Sequence, residues 1–175
     1  DDIESDITGL SATTDTKLDQ AVFTGYTAST APNEIHLIHT GGTSLNTITT
    51  TGIEWNSVQV SGDSYSWTGG TDIFIQEAGD YEISYNIPYV SESNNRKIGI
   101  GSNLILNNNT VIDNSASGAQ VSDNGIIASL ILAPVVLSLS QNDKLTLGVF
   151  RTGNVGTATS EENGNILIKK KETLQ

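Results

Sequence analysis

Hydrophobic residues occupy every second position from Tyr81 to Tyr89, with Tyr81, Ile83, Tyr85, Ile87 and Tyr89 on one parity and Glu82, Ser84, Asn86 and Pro88 on the other. Period two predicts a β-strand with one buried face. Ala78-Gly79-Asp80 supplies turn chemistry in front of it, because Gly admits positive φ and Asp can bond its own backbone. Three of the chain's five tyrosines lie on the inward parity, and a buried Tyr needs a partner for its hydroxyl. The stretch is the expected central strand, and its five inward residues are assigned to the core or a subunit interface.

Short segments of the same kind surround it. Glu34 to His39 alternates, with Ile35, Leu37 and His39 on one parity; Ile53-Glu54-Trp55, Val58 to Val60 and Ile73-Phe74-Ile75 read as strands, and turns flank Tyr65-Ser66-Trp67. Arg96 to Leu106 places Ile98, Ile100, Leu104 and Leu106 together, and Asn107-Asn108-Asn109 predicts a tight hairpin onto Val111-Ile112, since Asn tolerates the left-handed region. Gly125 to Ser140 reads as two short strands flanking Ala133-Pro134, Leu145, Leu147 and Val149 alternate again, and Ile166 and Ile168 mark a last strand. Polar loops are expected at 91–95, 113–124 and 152–164. Eight to ten strands spaced by turn signals predict an all-β two-sheet sandwich or jelly roll.

The first thirty residues differ. Ile3, Ile7, Leu10, Leu18 and Val22 recur at helical spacings, and Ser11, Thr13 or Thr14 could cap a second helix ending near Gly25. So short an apolar stripe is marginal alone and needs copies of itself or a preceding fibre segment as packing partner; the competing reading is a floppy tether. The division expected is 1–32, a helical stalk or linker, and 33–175, a β head.

Composition narrows the function. Ser, Thr, Asn and Gly make up 73 of 175 residues, which favours turns and solvated strands over a helical enzyme core. A head of this size buries roughly two thirds of its unfolded surface and needs no disulfide or metal staple. The net charge of −12 opposes binding to nucleic acid and to anionic membranes. Cys is absent, which removes thiol chemistry, and Met is absent even at position 1, which implies processing or excision from a longer polypeptide. Ile126 to Leu139, the most apolar run, falls short of the ~20 residues that span a bilayer and reads as buried strand.

Ala78-Gly79-Asp80-Tyr81-Glu82-Ile83-Ser84-Tyr85, the strand and Asn turn at Leu104 to Asn109, Leu137-Ser138-Leu139 with Asn142-Asp143-Lys144-Leu145, and Gly164-Asn165-Ile166-Leu167-Ile168 occur in an order that resembles the C1q/TNF-like jelly-roll head. The resemblance covers about Glu34 to Lys170. It departs at Gln141-Asn142-Asp143, where the family often has Gly before Asp, and in the last strand, which lacks the usual aromatic. The segment Leu10 to Ser29 resembles linker repeats of long bacteriophage fibre proteins. Together the resemblances imply a homotrimeric fibre head on a virion surface, joined to other fibre or virion proteins through its N-terminus. Such a head would bind a host-surface receptor, expected to be a glycan. A glycan-cleaving tailspike-type enzyme and a bacterial surface or spore-coat head are the alternatives.

Chemistry is sparse. Glu161-Glu162 and Asp1-Asp2 are adjacent carboxylates that point apart or into solvent, not an opposed pair of the kind a glycosidase uses. His36 and His39, three apart, fall on opposite faces of a strand, are no local metal pair, and are expected to be exposed or at a rim. Neither lies near a nucleophile elbow, so no enzyme activity and no catalytic residue are expected. The family resemblance raises a Ca²⁺ site among Asp63, Asp72, Asp113 or Asp123, but no spaced oxygen-ligand loop is visible and no cofactor is expected. Lys169-Lys170-Lys171 reads as a solvated strand end or as a partner for acidic loops. Recognition is placed in the polar loops, on Asn94, Asn95, Ser117, Gln120, Asn154 and Glu161 for sugar hydroxyls and Arg151 for an anionic group. Trp55, Tyr65 and Trp67 are read as sandwich packing.

Overall fold

A computed structural model describes residues 33–92, 97–121, 123–153 and 156–172. The predicted helical stalk, 1–32, lies outside them. The rest is all β. One sheet contains β1 (Glu34–Thr40), β3 (Ser57–Ser61), β6 (Gly79–Ser91), β10 (Ile127–Leu139), β12 (Ala158–Ser160) and β13 (Glu162–Lys170), in the order β10-β6-β13-β1-β3 with β12 beside β6. The other contains β2 (Thr51–Gly52), β4 (Tyr65–Ser66), β5 (Asp72–Ile75), β7 (Ile98–Leu106), β8 (Thr110–Val111), β9 (Ser117–Val121) and β11 (Lys144–Gly153). Its order is β4-β5-β11-β7-β8, with β2 on β11 and β9 on β7. All pairings given for these strands are antiparallel.

β6 is the centre of the first sheet, and Tyr81, Ile83, Tyr85, Ile87 and Tyr89 all point between the sheets with at most 2% exposure. They are therefore core residues of a single sandwich, and any subunit interface must use the other parity. Tyr85 donates its hydroxyl to the Ser115 carbonyl at 2.8 Å and lies 2.9 Å from Ser102 Oγ, so the expected hydroxyl partners come from the opposite sheet side of the core. Tyr65 and Tyr81 meet edge to face at 5.7 Å, and Trp55 is buried, which makes the Trp55, Tyr65 and Trp67 group packing residues.

The Asn turn forms as expected, with Asn107 at φ 53° and Asn108 at φ 68°, the left-handed pair a two-residue hairpin demands. Asn142, where the family resemblance has Gly, adopts φ 70°. Asn thus fills a left-handed position that Gly fills at less steric cost.

Several loop and strand assignments are corrected. β10 is one strand of thirteen residues, not two; Ala133-Pro134 is a bulge inside it, where its register against β6 shifts between Leu132 and Val135. An edge strand with a bulge tolerates the missing proline N–H. β10 is also not buried throughout, since Ile127, Ile131 and Val136 are 63%, 61% and 54% exposed. The expected loop 113–124 contains β9, and the expected loop 152–164 contains β12 and the start of β13. Pro88 sits within β6 opposite the break between β12 and β13, where its carbonyl accepts the Glu161 N–H and no ladder donor is required of it.

Candidate functional site

The strand ends bring the polar loops together. Gly125 N–H donates to the Ser91 carbonyl at 2.8 Å, Ser91 N–H to Ile126 at 3.1 Å, and Glu92 N–H to Thr157 at 2.9 Å, so the end of β6, the start of β10 and the lead into β12 form one surface. β7 begins, β9 ends and β11 ends on the same side. Asn33 lies at the other end, where its carbonyl accepts from Lys170 N–H at 2.9 Å and from the Tyr65 hydroxyl. Lys170 pairs with Tyr81, ten residues before Ser91, so at about 3.3 Å per residue the loop surface is roughly 33 Å from residue 33.

The expected recognition residues separate on this frame. Gln120 is exposed on β9 opposite Gly99, and Arg151 is half-buried on β11 opposite the buried Ile100, so the fold brings both to the loop-bearing end but on opposite faces of the sheet. Ser117 is three residues earlier on β9, and its Oγ accepts the Ile131 N–H at 2.9 Å, tying β9 to β10. Glu161 is set back between β12 and β13 and half-buried. Asn94, Asn95 and Asn154 lie outside the described residues.

A groove runs across the outer face of the second sheet at this end, which loop reasoning missed. A cavity of about 350 Å³ is lined by Gly99, Gly118, Gln120 and Thr152, and one of about 340 Å³ by Lys97, Gln120, Val121 and Ile126. Gln120 is common to both. The glycines make the depression: a Cβ on Gly99 would sit 2.4 Å from Thr152 Oγ1, whereas one on Gly118 would meet only the Ile100 carbonyl at 3.6 Å and otherwise open space. Glycine at an outward strand position is costly unless something approaches the backbone closely. The signal available in the sequence was the pair Gly99 and Gly101 on one parity of β7.

The fold also assembles a Ser–His pair that the sequence did not suggest. His39 is not at a rim but 1% exposed; its Nδ1 lies 2.7 Å from the Glu54 carbonyl and its Nε2 2.7 Å from Ser160 Oγ, which accepts the Thr43 N–H at 2.8 Å. Nδ1–H therefore donates to the carbonyl and the Ser160 hydroxyl donates to Nε2. The spacing matches a nucleophile and base, but Ser160 is 2% exposed and no substrate carbonyl can reach it. The pair staples β1 to β12. Trp55 packs edge-on against His39, ring centroids 6.5 Å apart.

Asp72 is held by the Lys144 ammonium at 2.9 Å and by the hydroxyls of Thr146 and Thr71. Partial burial pushes its carboxyl up, but these hydrogen bonds and the lysine charge outweigh it and hold the pKa below the usual value. Among the described residues no three His, Asp or Glu side chains converge as metal ligands. Lys169, Lys170 and Lys171 pair with Glu34, Glu77 and Glu82, so the basic run is partnered by acidic side chains at the strand end. Among the described residues the Tyr89 hydroxyl has no hydrogen-bond partner, and burial pushes its pKa up to about 12.

The outward parity of the first sheet is the remaining feature. Ile127, Ile131 and Val136 of β10 are exposed there, and Asn86, paired across the ladder with Ile131 and Asn165, keeps a buried Oδ1 that has no hydrogen-bond partner among the described residues.

This architecture is similar to that of Eiger TNF from S. frugiperda, with a TM-score of 0.56 and 12% identity over 83% of this chain and 96% of that one. It is also similar to murine APRIL at pH 5.0, with a TM-score of 0.52 and 14% identity over 78% of this chain and 97% of that one. The chain is thus an all-β sandwich with a TNF-like jelly-roll fold. Neither a protein-family model nor a curated protein sequence matches it.

Proposed function

We propose that this chain is the homotrimeric, receptor-binding head of a phage or viral fibre, displayed on the virion surface and binding a host-surface glycan without cleaving it. The observation that carries the reading is the polarity of the jelly roll. Residue 33 and the converging polar loops lie at opposite ends, which is the arrangement a head needs if a fibre holds it at one end and a receptor is met at the other. The resemblance of Leu10 to Ser29 to fibre linker repeats supplies the fibre, and the N-terminus is the joint to other virion proteins. The trimer is supported by the exposed Ile127, Ile131 and Val136 and by the unpaired Asn86 Oδ1, an apolar face with a polar atom in need of a donor. The buried Ser160–His39 pair favours binding over catalysis. The net charge of −12 argues against nucleic acid.

Light scattering of the purified chain tests the assembly. A species of about 55 kDa, three times 18.5 kDa, is expected, and Ile131→Glu should shift it to the monomer without loss of β structure by circular dichroism. A wild-type chain that is only monomeric at micromolar concentration would refute the trimer. A glycan array tests the receptor, with retention unaccompanied by release of reducing ends as the expected result.

A further inference from the structure

We propose that the groove on the second sheet is a binding site for an acidic sugar, a hexuronate or sialate unit whose carboxylate pairs with Lys97. This rests on the reading of the chain as a glycan-binding head and identifies the site and the ligand class.

The charge distribution carries the inference. The described residues hold six cations, and four of them, Lys144, Lys169, Lys170 and Lys171, are paired with carboxylates. In a chain of net charge −12 carboxylates are abundant, yet Lys97 and Arg151 form no ion pair with any described residue. Both lie at the loop-bearing end. Lys97 is exposed and lines the groove directly. Arg151 shares the inward parity of Leu147 and Val149 and pairs with the buried Ile100, so its side chain lies on the other face of the sheet from Thr152 and outside the groove, and among the described residues its buried Nε has no hydrogen-bond partner. Leaving the exposed Lys97 without a described carboxylate at this depression, while four of the other five described cations are paired, favours an anionic ligand there in an otherwise negative molecule.

The other groove residues suit a sugar ring. Gln120 offers a carbonyl acceptor and an amide donor to both cavities, and Thr152 offers a hydroxyl, which is the equipment for vicinal hydroxyls. Ile126, 49% exposed, offers apolar surface to a C–H face of the ring. Gly118 leaves the backbone accessible. The carboxylate of Glu92 at this end accepts the Thr159 hydroxyl on the first sheet, and Asp123 is also engaged. The groove is on the outer face of the second sheet and the apolar face on the first, so trimerisation through the latter leaves the site open.

The test is an array of neutral, uronate-bearing and sialate-bearing glycans probed with the full chain, followed by calorimetric titration with hexagalacturonate and with maltohexaose. Acidic glycans should be retained in preference to neutral ones, and their affinity should fall as salt is raised. Lys97→Glu should weaken acidic-glycan binding at least about tenfold while Lys97→Arg stays within about threefold, as expected for a pair worth at least ~1.4 kcal/mol. Gly118→Val should block the groove with the melting temperature unchanged, because its side chain projects into open space. Retention of neutral glycans alone, or acidic-glycan binding unaltered in both Lys97→Glu and Gly118→Val, would overturn the inference and leave the receptor-binding reading standing. A head that retains no glycan of any kind would overturn both.

Discussion

Removing the hydroxyl of Tyr85 is the most direct probe of the core. The side chain is 2% exposed, its hydroxyl donates to the Ser115 carbonyl at 2.8 Å, and it lies 2.9 Å from Ser102 Oγ; Ser102 and Ser115 are themselves fully buried. Ser115 Oγ in turn accepts the Leu104 N–H at 2.8 Å and donates to the Ile112 carbonyl at 2.7 Å, so the tyrosine caps a network holding β7 and the 112–115 turn to the first sheet. Tyr85→Phe deletes two buried hydrogen bonds and leaves their partners unsatisfied, a cost of about 1–3 kcal/mol. Tyr85→Ala also leaves a ring-sized cavity, for a total of about 3–5 kcal/mol. At roughly 3 °C per kcal/mol for a chain of this length, the melting temperature should fall by about 6 °C for Phe and about 12 °C for Ala, measured at fixed protein concentration. Ser102→Ala combined with Tyr85→Phe should cost less than the sum of the single changes, because both remove the same contact. A Phe variant that melts with the wild type would show that this hydroxyl is not buried against Ser115 and that the register of β6 is misassigned.

Acid should unfold the head through its paired carboxylates. Hydrogen bonds from Lys170 and Ser64 and the Lys170 charge lower the Glu77 pKa, and Asp72 is lowered as well. A depressed folded pKa contributes stability that is complete above the ordinary carboxylate value and lost as pH falls through the folded one. The melting temperature should therefore hold from neutrality to about pH 5 and drop below about pH 4, with a shallower drop in Asp72→Asn; a profile flat to about pH 2 would contradict the assigned pairs. Gly148→Ala should destabilise by about 1–3 kcal/mol through overpacking, since its Cβ would lie 2.4 Å from Thr50 Cγ2 and 2.7 Å from Ile105 Cδ1. Equal denaturation midpoints for Gly148→Ala and wild type in urea would show that these side chains yield freely.

Strand identity was legible in the sequence wherever one face is buried and the other wet. The alternation of Tyr81 to Tyr89 named β6 and its inward parity, and the Asn107-Asn108 turn was predicted from the tolerance of Asn for positive φ; both are local properties of backbone and side chain. The extent of β10 was not legible. Its bulge at Ala133-Pro134 is maintained by pairing with β6, and the exposure of Ile131 and Val136 depends on which strand ends as a sheet edge. Pairing over long sequence separations has no local signature. For the same reason the sequence showed His39 and Ser160 as unrelated polar residues, although they are 121 positions apart and in contact. The groove belongs to this second category: Gly99, Gly118, Gln120, Thr152 and Lys97 come from three strands and their flanks, and only the antiparallel register of β7 with β9 and β11 makes them neighbours. Composition determined that this chain is acidic and β-rich; tertiary pairing decided which of its described cations meet a carboxylate, because compensation depends on distance in space and not along the chain.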